Sequence, residues 1–294
     1  MRTWPVALAL ALGLAAPAAA APVRAIDDAG STLELAQPAR RIVSLAPHAT
    51  EMLFAAGAGA AVIAVTAHSD FPPAARALPR VADAGTIDLE NIVALQPDLV
   101  VAWPYTAPQQ LSALRSLGIP VFFSHPRTIG GIASDIEKLG ALAGTRDEAA
   151  AAARALRQRH AALEAKYRSA SPVSVFYEIW NRPLYTIGGK HLISEAIAVC
   201  GGRNIFAGQG LPAPEVSLEA VIAAAPQVIV GADDAGGRPA WLSEWSRWPD
   251  LPAVRDGNVI AANGDLLHRP GPRFVDGVSQ LCTELALARA RARR

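Results

Sequence analysis

The phrase DLENIVALQPDLVVA, residues 88–102, returns as SLEAVIAAAPQVIVG, residues 217–231. At a fixed offset of 129 residues, Leu89 matches Leu218, Glu90 matches Glu219 and Pro97 matches Pro226. Each copy reads as a capped short helix, a proline turn and a buried strand. Asp88 and Ser217 stand at the cap positions, and Pro97 and Pro226 end the helix. The two leucines are expected to anchor it. A chain that repeats such a unit builds two related halves.

The surrounding pattern agrees. After a β-like lead, VRAIDDAGSTLEL, apolar runs alternate with helical stretches. RIVSLAP, AVIAVTAH, PDLVVAW and IPVFFSH read as strands, with HATEMLFAAGAG, DLENIVALQ and TIGGIASDIEKLGALAG as helices. VSVFYEIW, PQVIVGA and NVIAANGD are strands of the second half, with LISEAIAVCGG, SLEAVIAAA and the C-terminal GPRFVDGVSQLCTELALARARA as its helices. Strands that are apolar throughout and separated by helices imply parallel sheets covered on both faces. Between the halves, TRDEAAAAARALRQRHAALEAKYRSASP offers about 20 residues of strong helix formers without Gly or Pro, enough to span about 30 Å. The fold class expected is α/β, with two Rossmann-like lobes of parallel sheet joined by one long rigid helix. The boundaries are residues 22–144 for the first lobe, 145–170 for the connector and 171–294 for the second lobe. A single rigid connector predicts a small hinge motion.

Residues 1–21 read as a cleavable export signal. Arg2 precedes the apolar stretch WPVALALALGLAAP, and small-residue cleavage sites follow Ala20 or Ala21. The apolar stretch is shorter than the roughly 20 residues of a membrane span. The expected protein is periplasmic, not embedded in a membrane, and monomeric. Losing Arg2 leaves 26 basic against 26 acidic residues. A neutral chain lacks the basic face that nucleic acid requires. Cys200 and Cys282 are the two cysteines. In an oxidising compartment they suggest a disulfide closing a loop of roughly 80 residues, worth about 4 kcal/mol by chain entropy. Two buried free thiols are the alternative.

Ligands of open parallel sheets sit beyond the carboxyl ends of the strands. In the first half those ends lead to His68-Ser69-Asp70, to Trp103-Pro104-Tyr105 and to His125. In the second they lead to Glu178-Ile179-Trp180, to Asp233-Asp234, and to Asp265 followed by LLHRPGPR. Aromatic and polar side chains collecting there suit a ligand with a large flat apolar surface and a polar rim. Trp103 is read as a site residue because Pro104 and Tyr105 place it on a loop, and Trp180 because Glu178 and Asn181 flank it. His68 reads equally well as a local cap. His125 and His268 read as structural or solvated, and Trp241, Trp245 and Trp248 as packing residues. No HExxH, GxSxG, phosphate loop or CxxC occurs, so no catalytic residue and no metal ligand is assigned.

RRIVSLAPHATEMLFAAGAG, HSDFPP, DLENIVALQPDLVVAW, VCGGRNIFA and VSLEAVIAAAPQVIV resemble the periplasmic solute-binding proteins for cobalamin, haem and iron-siderophores, the cobalamin members above all. The resemblance covers roughly residues 40–288. It implies two α/β lobes joined by a long helix (a class III periplasmic binding protein), a cleft ligand and delivery to the transmembrane permease subunits of an ABC importer. It implies a Cys200–Cys282 disulfide. It implies that Glu90 and Glu219 dock on arginines of the permease. For the ligand it implies Trp103, Asp265 and Arg269, with His68 replacing a tyrosine. Ala84 and Ala213 stand where the family has tryptophans, and Ile179 where it has another aromatic, so Tyr105 and Trp180 are expected to supply substitute surface. The expected ligand is cobalamin or a related corrinoid, with no resident cofactor. Haem or a ferric siderophore is the alternative: His68 offers a donor to iron, and Arg182 and Arg269 offer partners for carboxylates. A periplasmic hydrolase and a ligand-sensing domain are more distant readings. The first wants a nucleophile, base and oxyanion turn, and the second a membrane segment.

Overall fold

The computed structural model describes residues 21–83, 86–106, 108–233 and 237–292. Residues 1–20 of the expected signal at 1–21 and Ala84 therefore lie outside the described residues, as does Asp234. An antiparallel hairpin, β1 (Val23–Ile26) with β2 (Thr32–Leu35), leads the chain. The first lobe follows as β3 (Ile42–Ser44), α1 (Pro47–Ala55), β4 (Val62–Thr66), β5 (Arg80–Asp83), β6 (Thr86–Ile87), α2 (Leu89–Ala94), β7 (Leu99–Ala102), α3 (Pro108–Ser116), β8 (Val121–Phe123) and α4 (Ile129–Ala143). Its six strands run in the order β6-β5-β4-β3-β7-β8, all parallel except β6.

One helix, α5 (Arg146–Tyr167), carries the chain to the second lobe. There β9 (Val173–Glu178), the hairpin β10 (Trp180–Asn181) and β11 (Leu184–Tyr185), α6 (Leu192–Val199) and β12 (Gly202–Asn204) precede α7 (Leu218–Ala224), β13 (Val228–Asp233), α8 (Pro252–Arg255), β14 (Val259–Asn263), α9 (Gly264–Leu267) and α10 (Phe274–Arg291). The parallel order is β12-β9-β13-β14. The expected two-lobe α/β architecture is present. β5, β6, α3 and the β10–β11 hairpin are additions that hydrophobic runs alone did not mark.

Strand alternation explains why the strands are apolar throughout. Ile42, Val65, Leu99 and Val101 point into one core, while Val43, Ala64, Val100 and Ala102 point into another on the opposite face. In the second lobe Val175, Tyr177 and Val230 share the first core, while Phe176 and Ile229 enter a third with Trp245. The first core is thus common to both lobes and runs through α4, α5, α6 and α10. Along α5, Ala149 lies against α4 so closely that a Cβ on Gly140 would come within 2.2 Å of its Cβ. The connector is packed on both lobes instead of standing free between them. Cys200 and Cys282 form the expected disulfide, which ties the end of α6 to α10 across 82 residues.

The repeated phrase folds the same way twice. Asp88 accepts from the Asn91 N–H and Ser217 from the Ala220 N–H, each at 3.1 Å. Ile92 and Val221, also 129 positions apart, are fully buried. They anchor the two helices more deeply than the half-buried Leu89 and Leu218. Gln96 and Ala225 both adopt left-handed backbone, at φ 48° and 43°, just before the paired prolines. A residue before proline is kept from ordinary helical backbone, so the two copies solve one steric problem alike.

Candidate functional site

The carboxyl ends of β3, β4, β7 and β8 lie side by side in the first sheet, so the segments that follow them meet. Trp103, after β7, is half-buried and central. Its ring meets His48 at 5.5 Å, Tyr105 at 4.8 Å and His125 at 6.3 Å between centroids, each edge to face. Tyr105 and His125 meet at 5.5 Å. Tyr105 is 64% exposed, so the group presents an open aromatic shelf.

A polar scaffold holds this shelf from behind. The His125 N–H donates to Asp28 Oδ2 at 2.6 Å, and Lys138 grips both Asp28 at 2.7 Å and Asp135 at 2.9 Å. Ser124 Oγ donates to Asp135 at 2.7 Å. Burial, then the neighbouring Asp28 charge, pushes the Asp135 carboxyl up to about 7. His48 Nε2 donates to the Ser124 carbonyl at 3.3 Å, and burial drives this imidazole down to about 4. It is therefore a neutral ring at neutral pH. His125 is lowered as well, by burial and then by Arg127.

In the second lobe Trp180 is 57% exposed at the start of the β10–β11 hairpin, and its Nε1 donates to the Arg182 carbonyl at 2.9 Å. Behind it, buried Glu178 accepts from Trp245 Nε1 at 2.6 Å, and burial pushes Glu178 up to about 7 against that bond. Tyr177 Oη and His268 Nε2 are 3.0 Å apart. His191 is held down to about 4 by burial, with His268 and His125 both close enough to add to the shift.

Asp265 and Arg269 pair at 2.7 Å. Arg269 also reaches the other lobe: its Nη1 donates to the His68 carbonyl at 3.1 Å, and Asp70 lies 4.0 Å away. His68 itself is exposed and takes left-handed backbone, at φ 61°, which turns its carbonyl to this contact. Arg182 is paired with Glu244 at 2.8 Å. Ala213 is exposed and Ile179 packs against the core, so neither adds an aromatic face. A cavity of about 310 Å³ between β14 and α10 contains none of these residues. Among the described residues no group of His, Cys, Asp and Glu is placed to hold a metal ion, and no helix is long and apolar enough to cross a membrane.

The structure thus joins Trp103 with Tyr105, and Asp265 with Arg269 and the His68 backbone. Trp180 stands on the second lobe's hairpin. Sequence reasoning set aside His125 and His268 and did not single out His48, Tyr177 or His191. Their signal was available in part, since His125 follows a strand end, but nothing along the chain shows three rings converging on Trp103. The three-tryptophan segment is packing, as expected, with Trp245 buried. Glu90 and Glu219 are exposed in the first turns of α2 and α7.

The model of the family described as periplasmic binding protein matches residues 42–266. A curated relative, the vitamin B12-binding protein of Vibrio cholerae, is 42% identical over 252 residues, covering 85% of this chain and 91% of its own length. The crystal structure of periplasmic vitamin B12 binding protein BtuF of Vibrio cholerae superposes with a TM-score of 0.77 at 41% identity, covering 86% of this chain and 98% of that one. A periplasmic heme binding protein from Pseudomonas aeruginosa superposes with a TM-score of 0.72 at 26% identity, over 83% and 91%. Two lobes, one connecting helix, a repeated capped helix and these matches across most of the chain lead to one assignment: the chain belongs to the periplasmic binding protein family.

Proposed function

We propose that this protein is a periplasmic solute-binding protein that captures a corrinoid, cobalamin, between its lobes and delivers it to an ABC importer. The observation that carries the reading is the 42% identity to the vitamin B12-binding protein of Vibrio cholerae over most of both chains. The aromatic shelf supports it. A corrin is broad, flat and rimmed with amides, and it suits exposed Tyr105 and half-buried Trp103 on one lobe and Trp180 on the other. Asp265, Arg269 and His68 supply polar contacts at the edge. The protein acts by binding alone, as a monomer, after a leader within residues 1–21 has directed it to the periplasm. It needs no resident cofactor.

Delivery is assigned to Glu90 and Glu219. Among the described residues no hydrogen bond or ion pair engages either side chain, and each crowns the exposed first turn of a matching helix. A permease of two subunits offers two equivalent cationic docking points for them.

Haem is the second reading, favoured by one observation: the exposed Tyr105 phenol stands beside a histidine of lowered pKa, His125, and exposed His68 offers another donor. Purified protein incubated with cyanocobalamin, haemin or a ferric siderophore, then passed through gel filtration, separates the readings by absorption spectrum. Co-elution of cyanocobalamin is expected. Haemin retained with a shifted Soret band, and no retained cyanocobalamin, would replace the corrinoid reading with haem.

A further inference from the structure

The segment before α10 crosses from the second lobe into the first. Arg273 places Nε 3.0 Å and Nη2 2.5 Å from the two carboxylate oxygens of Glu51 on α1, a fork-to-fork contact spanning 222 residues. The Glu51 side chain is 2% exposed. Burial raises its pKa, and the Arg273 guanidinium opposes that shift. The guanidinium lies 4.3 Å from the centre of the Phe71 ring, which the first lobe supplies as a floor. A Cβ on Gly271 would come within 3.3 Å of Glu51 Oε2, so the segment is seated tightly on α1. Arg269, four residues earlier, makes the second crossing through the His68 carbonyl.

Such a contact is costly to separate. A buried carboxylate without its partner loses both Coulomb attraction and two hydrogen bonds, and bidentate geometry permits one orientation of the two lobes. Both residues lie outside the aromatic shelf. Their chemistry is spent on each other, which leaves them to act through the spacing of the lobes.

We propose that the Glu51–Arg273 pair is an interlobe latch that holds the cleft at its binding width before ligand arrives, making both residues positioning residues for capture. The shared core along α5 closes the back of the molecule, and the latch ties α1 to the segment entering α10. An unlatched protein populates wider states, and its apparent affinity falls in proportion to the competent fraction. This inference rests on the cleft reading above only for its affinity readout.

Two exposed positions, Gln109 on α3 and Ala223 on α7, take spin labels through introduced cysteines for an interlobe distance measurement. Wild-type protein is expected to give one narrow distribution with and without cyanocobalamin. Glu51→Gln is expected to broaden the ligand-free distribution, to narrow again on adding cyanocobalamin, and to raise Kd about tenfold, as for a competent fraction near one in ten. Arg273→Lys keeps the charge and loses the two-point contact, so it carries the same comparison if Glu51→Gln fails to fold. A folded variant whose ligand-free distribution matches wild type overturns the latch. Failure of the wild type to bind cyanocobalamin would instead sink the corrinoid reading, and the ligand-free distributions would still decide the latch.

Discussion

Trp103→Ala should weaken cobalamin binding by about 1–3 kcal/mol. The indole is half-buried, with its inner part held by His48, Tyr105 and His125 and its remaining surface facing out. A flat ligand seated on that surface hides roughly 60–100 Å² of ring, which at about 25 cal/mol per Å² gives about 1.5–2.5 kcal/mol. Loss of the hub also frees Tyr105, whose ring leans on Trp103, and this extends the range upward. In Kd the effect is about 5- to 150-fold. The same substitution removes up to three edge contacts of about 0.5–1.5 kcal/mol each, so the protein also melts lower. Calorimetric titration with cyanocobalamin, run well below the variant's melting range, isolates the binding term. Trp103→Phe is the control. The indole Nε1 is buried without an acceptor among the described residues, so replacing it with a phenyl ring sacrifices area and no hydrogen bond. Phe should therefore keep most of the affinity. A Trp103→Ala protein that binds within twofold of wild type would remove this residue from the site and the aromatic shelf from the argument.

Three other perturbations probe separate parts of the molecule. Glu90→Ala combined with Glu219→Ala should leave the Kd for cobalamin unchanged and abolish uptake by the reconstituted importer; persisting uptake would leave both glutamates only the local stabilisation that a first-turn carboxylate gives the helix dipole. Cys200→Ser with Cys282→Ser should lower unfolding free energy in urea by about 4 kcal/mol, because an 82-residue loop is released in the unfolded chain; a change under about 1 kcal/mol would show that the packing of α6 on α10 suffices. Glu178 holds its proton up to about pH 7 in the folded state and only to about 4.3 when unfolded, so its contribution to stability is full at low pH and is lost as pH rises through that window. Glu178→Gln should flatten the wild-type decline between pH 5 and 8 by up to about 3 kcal/mol, and parallel melting curves for the two proteins would refute the buried, protonated carboxyl.

Periodicity carried the fold because it is a local property. Ile42-Val43 and Leu99-Val100-Val101-Ala102 are apolar at every position because alternate side chains enter different cores, a burial pattern that leaves its mark residue by residue. The caps at Asp88 and Ser217 were legible for the same reason, since each acts three residues ahead. Short pieces fared worse. β5 and β6 contribute four and two residues to an edge, and their register shift and antiparallel pairing have no run long enough to announce them. The site was legible only where strand ends pointed to it. Trp103 and Tyr105 are neighbours in sequence and in space. His48 and His125 join them from 55 positions before and 22 after Trp103, and only the sheet order β4-β3-β7-β8 brings the three segments together.

Arg269 shows how a residue can be found and its surroundings missed. Its i,i+4 pairing with Asp265 is a local regularity. Its bond to the His68 carbonyl spans 201 residues and depends on the angle between two lobes. The same holds for Glu51, which along the chain is one acidic residue in an otherwise apolar helix and would be expected on the exposed face. It is buried because Arg273 arrives from the other half of the protein. Charge buried at a lobe junction is stable only when its partner is present, so the burial of Glu51 depends on its contact with Arg273. A repeated helix with an exposed glutamate needs no such partner within the chain. That contrast separates the two kinds of carboxylate: Glu51 is committed inside the molecule, whereas Glu90 and Glu219 stand exposed on its surface.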